Sequence, residues 1–175
     1  MADTNDSPAL DIPLPARRQD TLGLVIFRRM VAHGLNDARA TMLALDAGGQ
    51  NFRRMLILSR ALAVDLARAS QRRILLAPCC ATGMTRDEGL LMDLIKGGGL
   101  DIYAALTDDA RCNAAMTTAH AYGEELDQVA PFAFGEQALV LAFDVVGHHR
   151  RSPREDRLGR AIVLLELDDR RLGIM

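Results

Sequence analysis

The chain has 175 residues, close to the size of one typical domain. At 49% hydrophobic it has the material for a core, which excludes wholesale disorder; its net charge of −2 excludes a strong overall field for nucleic acid or an anionic membrane. Aromatic residues are 4% and Trp is absent, so stacking platforms for bases or sugars are thin.

The first segment, Met1 to Ala16, carries Asp3, Asp6 and Asp11 with Pro8, Pro13 and Pro15. It reads as a disordered lead-in, without the positive start and apolar run of a signal peptide. Thr21 to His33 is apolar at helical spacing and nearly all round, which predicts a buried helix ended by Gly34. Asn36 or Asp37 can cap a second helix running to Ala47, stopped by Gly48-Gly49. From Gln50 to Arg73 the stripe Phe52, Met55, Leu56, Leu62, Leu66 and Ala69 predicts a long amphipathic helix, with Arg72-Arg73 at its negative end. Ile74–Ala77 suits one short strand before the Pro78-Cys79-Cys80 connection. Thr85-Arg86-Asp87-Glu88 is a capping box for a short helix to Lys96, ended by three glycines. Leu100 to Leu106 reads as a brief helical turn, and Thr107 can cap a helix from Asp108 to about Val129. Glu136–Val146 fits helix or strand, and Ser152-Pro153-Arg154-Glu155 signals a final helix to about Arg171. The longest apolar runs, such as Ala138–Phe143, fall far short of the ~18 residues a membrane span needs. Three cysteines form no disulfide framework, so the compartment expected is the reducing cytoplasm.

Charge is unevenly distributed. Arg17 to Arg73 holds eleven arginines against four aspartates, a surplus of seven positive charges. Thr85 to Glu136 holds three cations against ten acids, a surplus of seven negative charges. A basic half and an acidic half are expected to dock on each other, or on a second copy.

Two segments carry a family likeness. Arg28-Arg29-Met30-Val31-Ala32-His33-Gly34-Leu35-Asn36-Asp37-Ala38-Arg39-Ala40 resembles the opening segment of a family of small bacterial proteins, the domain of unknown function numbered 6628. Leu76-Ala77-Pro78-Cys79-Cys80, followed by Met84-Thr85 and the acidic helix start, resembles its second segment; the helix between them begins with Phe52-Arg53-Arg54, as in the family. The resemblance covers roughly residues 21–122 and implies a helical architecture but no activity. The part after Pro131 is longer than the family pattern implies.

The chemistry-bearing residues are few. Cys79-Cys80 offers a thiol pair that could form a strained, easily reduced disulfide, bind metal, act as a nucleophile if the loop folds back on the helix start near Thr85, or simply lie buried under a loop. His33 and Asp37 stand four apart across Gly34, so Asp37 reads first as a helix cap and His33 as a last-turn residue favoured by the dipole. The sharper alternative joins His33, Asp37, Cys79 and Cys80 in one site for zinc or iron, which requires the first interhelical turn to meet the Pro78 loop. Cys112 and His120, eight apart on one helix, are ~12 Å apart along its axis and read as core or boundary residues. His148-His149 reads as a solvated pair in a charged linker. The pairs Arg28-Arg29, Arg53-Arg54 and Arg72-Arg73 suggest an anion-binding face, although helical neighbours diverge by ~100°.

These readings predict an all-α, single-domain helical bundle of five to seven helices. A lead-in over 1–16 precedes the bundle at 17–147, and 148–175 forms a charged linker with a C-terminal helix. The function expected is that of a non-enzymatic interaction or regulatory protein with no cofactor, acting through a protein partner or self-association rather than nucleic acid or membrane. The alternative is a thiol- or metal-dependent protein.

Overall fold

The computed structural model describes residues 10–98, 106, 110–129 and 163–164. In chain order these form β1 (Ile12–Pro13), α1 (Arg18–His33), α2 (Ala38–Gly48), a 3-10 turn (Gly49–Asn51), α3 (Phe52–Ala69), β2 (Leu75–Leu76), β3 (Gly83–Met84), α4 (Arg86–Ile95), α5 (Ala110–Asp127) and β4 (Val163–Leu164). The architecture is mostly helical, in line with the all-α expectation, and the described strands are two residues each.

Helix α1 is the centre of the core. Every residue from Asp20 to Met30 is buried, as an all-round apolar pattern requires. Gly34 ends α1 with φ 103°, a backbone region that favours glycine. Asp37 then caps α2, its side chain accepting from the Ala40 N–H at 3.0 Å. Helix α3 packs most extensively on α5. The Thr118 hydroxyl donates to Asp65 at 2.7 Å across that contact, and the buried Tyr122 hydroxyl donates to the Gly23 carbonyl at 3.0 Å, tying α5 to α1. Gly123 lets α5 approach α4 closely: a Cβ there would collide with the carbonyl oxygen of Ile95.

The structure departs from the sequence expectations in four places. The lead-in is not free through Ala16, because β1 pairs antiparallel with β3 (Ile12 opposite Met84) and Ile12 and Leu14 lie against the core. Burying these two apolar side chains offsets the entropy of ordering the segment, and Pro13 is tolerated in an edge pairing. Helix α3 stops at Ala69 rather than Arg73. Ser70 takes an extended backbone while its N–H and hydroxyl both donate to the Leu66 carbonyl, at 2.8 and 2.6 Å. Leu106, expected in a helical turn, instead forms an antiparallel bridge with Ser70. Within the predicted C-terminal helix, Val163–Leu164 is a strand paired antiparallel with Leu75–Leu76. The open edge of β2 offers unpaired backbone groups that an extended segment can satisfy. Thr107–Asp109, Glu136–Val146 and His148-His149 lie outside the described residues.

The capping box stands as predicted. Thr85 accepts from the Glu88 N–H at 3.1 Å, while the Glu88 carboxylate accepts from the Thr85 N–H at 2.8 Å. No described helix is long and apolar enough to cross a membrane.

Candidate functional site

An arginine inside an apolar helix needs a partner of opposite charge, because burying a lone cation costs several kcal/mol. Arg28 is 1% exposed and its partner is Glu88 of the capping box, 0% exposed. The pairing is bidentate: Arg28 Nε donates to Oε1 at 2.7 Å and Nη2 to Oε2 at 2.8 Å. Arg28 also donates to the carbonyls of Gly83 (2.8 Å) and Ala81 (3.3 Å), and Glu88 Oε1 accepts from the Ala77 N–H at 2.9 Å. The Thr85 hydroxyl donates to the Leu75 carbonyl at 2.7 Å. The buried pair therefore clamps both ends of the Ala77–Thr85 loop against α1. A second bidentate pair, Arg72 with Asp87 at 2.6 and 2.9 Å, holds the segment leading into the loop, and Asp87 accepts from the Leu75 N–H as well.

The tip of this pinned loop carries the two thiols. Cys79 is half-buried and Cys80 is exposed, so Cys80 does not lie buried under the loop. Cys79 Sγ lies 3.8 Å from Nε2 of the exposed His33 in the last turn of α1. Burial pushes the Cys79 thiol above its ordinary 9.0, and the nearby Arg29 and Arg28 only partly counter it. At rest Cys79 is a thiol with an imidazole as neighbour.

Asp37 is engaged elsewhere. Both its oxygens accept from Arg29, at 2.8 to 3.0 Å, and Oδ1 also caps α2. Burial pushes its carboxyl up, but the Arg29 hydrogen bonds, the Ala40 N–H and the charges of Arg29 and His33 outweigh this and hold it below 3.8. The first interhelical turn and the Pro78 loop do meet, as the four-residue site requires. They bring His33 and Cys79 into contact, set Cys80 beside them at the surface, and leave Asp37 facing Arg29. Among the described residues no group of three or more His, Cys, Asp or Glu side chains is placed to hold a metal ion. Cys112 is buried as expected, whereas His120 is exposed and faces Glu124 at 3.6 Å.

The arginine pairs do not form one anion-binding face. Arg28 and Arg29 point into separate buried ion pairs, Arg54 meets Glu125, and Arg53 lies over the Phe52 ring at 5.7 Å. Sequence reading found the capping box and the thiols but missed Arg28–Glu88 as a pair, since nothing local links positions 60 residues apart. The available signal was a charged residue inside a run too apolar to reach water.

The two segments with the family likeness are the two that converge here, through Arg28–Glu88 and His33–Cys79. A model of a family of unknown function, DUF6628, matches residues 1–134. The chain belongs to that family. The DUF6628 match includes α1 to α5 and the thiol loop and ends just past Pro131, so β4 lies beyond it. No curated protein and no solved structure matches the chain. Membership in DUF6628 therefore brings no activity, and the site must be read from its own chemistry.

Proposed function

We propose that the chain is a small cytoplasmic, non-enzymatic regulatory protein that acts through reversible oxidation of the Cys79-Cys80 pair. The observation that carries this reading is the 3.8 Å contact between Cys79 Sγ and His33 Nε2 on a loop clamped by Arg28–Glu88. The exposed Cys80 meets a hydroperoxide first. Its thiolate attacks the O–O bond, forming a sulfenic acid and releasing alcohol or water. Cys79 then attacks the Cys80 sulfur as His33 takes the Cys79 proton and passes it on to the departing sulfenic oxygen. A disulfide forms, and the sulfenic oxygen leaves as water. A disulfide between adjacent residues is strained and readily reduced by thiols, which suits a signal rather than a structural bond. The non-enzymatic part of the reading is supported by the nearby carboxylates, since Glu88 and Asp37 are both held by arginines rather than left free for acid–base work.

The test is mass spectrometry of untagged protein after limited peroxide. The expected product has lost two hydrogens within the peptide containing both Cys79 and Cys80, regains them with dithiothreitol, and forms more slowly in His33→Asn. Progressive sulfinic acid at Cys80 without a disulfide would overturn the reading. So would stoichiometric zinc or iron that is lost in Cys79→Ser, which would assign His33, Cys79 and Cys80 to a metal instead.

A further inference from the structure

Helix α2 is apolar on both sides but buried on one. Its inner stripe is Ala40, Ala44 and Ala47, each at most 3% exposed. Of its three large apolar residues Leu43 packs against the core, but Met42 is 60% exposed and Leu45 48%. At ~100° per residue Met42 lies ~200° around the helix from Ala40, so it points away from the core. A surface helix ordinarily does the reverse, turning its large apolar residues inward and its polar ones out. Two of the four exposed large apolar side chains among the described residues thus share one helix of 11 residues. Two charges flank them. Arg39 and Asp46 stand about two turns apart on one edge of the exposed stripe. Both are exposed, and neither has an ion-pair partner among the described residues.

We infer that the outer face of α2 is a docking surface for a second copy of this chain, with the two α2 helices antiparallel about a twofold axis beside Met42. The charges select this arrangement. An axis level with Met42 and Leu43 carries position 39 of one copy to the level of position 46 of the other. Each Arg39 then faces the second copy's Asp46, and symmetry makes the pair twice. A parallel pair would instead set Arg39 level with Arg39 and Asp46 level with Asp46. The apolar residues agree with the same axis. Met42 meets its own counterpart at the centre, and Leu45 comes within a turn of the second copy's Ala38, whose small side chain leaves room for it. These charges are local to α2 and draw on none of the pairs that join the basic and acidic halves. An interface centred on one short helix falls under the ~1,200 Å² of standard complexes, so the association is weak and reversible. This inference is independent of the thiol reading.

The experiment is sedimentation velocity of the full untagged chain under dithiothreitol, from about 5 µM to about 1 mM. A monomer–dimer equilibrium is expected, half-associated at roughly 10–100 µM. Met42→Glu weakens dimerisation about tenfold or more, because symmetry brings two carboxylates to the axis. Arg39→Glu and Asp46→Arg each weaken it by about tenfold, since each turns two attractions into two repulsions. An equimolar mixture of Arg39→Glu and Asp46→Arg dimerises again, because every facing pair is then of opposite sign. Helical circular dichroism checks that each variant is folded; should Met42→Glu lose its fold, the charge mixture decides. A chain that stays monomeric at about 1 mM would overturn the inference and assign the face to another protein or to later residues of this chain. A dimer indifferent to Met42→Glu, or a mixture no tighter than either single variant, would overturn it too. Replacing Cys79 and Cys80 by serine leaves the dimer intact, which separates this result from the fate of the thiol proposal.

Discussion

Glu88→Gln tests whether the buried ion pair truly anchors the thiol loop. Four donors converge on the two carboxylate oxygens: Arg28 Nε and the Ala77 N–H on Oε1, Arg28 Nη2 and the Thr85 N–H on Oε2, all between 2.7 and 2.9 Å. Glutamine replaces one oxygen with an NH₂ group, so whichever way the amide turns, two donors face a donor. The arginine charge also remains buried without a counter-charge. Breaking one side of a buried pair costs about 3–5 kcal/mol, a large share of a typical domain's stability of roughly 5–15 kcal/mol. At about 2–4 °C per kcal/mol the melting temperature falls by on the order of 10 °C. Urea unfolding followed by helical circular dichroism reads the change, and a loss below ~1 kcal/mol would refute the reasoning. The double variant Arg28→Met/Glu88→Leu sharpens the test. Apolar replacement of an isolated buried pair is often neutral or stabilising. Here the pair also serves the Ala77 and Thr85 N–H groups and the Ala81 and Gly83 carbonyls. The double variant is therefore expected to remain about 2 kcal/mol or more below the native chain, because buried backbone groups lose their partners. Full native stability in the double variant would show that the pair does not hold the loop.

Three further outcomes are expected. Gly123→Ala gains helix propensity worth about 1 kcal/mol, yet it should destabilise the protein by roughly 1–3 kcal/mol because the new methyl meets the Ile95 carbonyl; a stabilised variant in thermal melts would contradict the close α4–α5 contact. Asp37 and Asp87 both titrate below the ordinary 3.8, since burial, which raises each, is outweighed by their arginine and backbone hydrogen bonds. The unfolded chain then binds more protons near pH 4, so their stabilisation is present above that pH and is lost as pH falls through the folded values. Asp87→Asn should flatten this acid limb in urea titrations run from about pH 5 downward, and an unchanged slope would count against the Arg72–Asp87 pair. Timed alkylation at neutral pH should label Cys80 first, Cys79 slowly because its thiol lies above 9.0, and Cys112 only on unfolding; mass spectrometry giving Cys79 as the fastest would contradict its burial.

What was legible in the sequence was what is local. The capping box at Thr85 and Glu88 and the cap at Asp37 are set within four residues, and both stand in the structure. The apolar circumference of α1 announced its burial for the same reason. Pairings over long separations were not legible. Nothing near Ile12 names Gly83–Met84 as its partner, and nothing near Val163 names Leu75–Leu76. A two-residue strand has too little periodicity to be told from a helical segment of the same apolar residues. The end of α3 was misplaced because Ser70 and its backbone bond to Leu66 break no pattern that composition shows. At the candidate site, the Cys79–His33 contact depended on whether two turns meet, which the residues allowed but did not require.

The charge segregation finds its physical use inside the fold. Arg17–Asp127, Arg28–Glu88, Arg54–Glu125 and Arg72–Asp87 each join a cation of the basic half to an acid of the acidic half, and Lys96–Asp20 crosses in the opposite sense. Two of these pairs are bidentate, a geometry that the planar arginine fork supplies and lysine does not. A near-zero net charge made of two opposite blocks is therefore what a chain needs when its second half must dock on its first in one register. The same pairing withdraws arginines from any anion-binding face. It also weakens the electrostatic argument for a second copy, because several of the complementary charges are already matched within the chain.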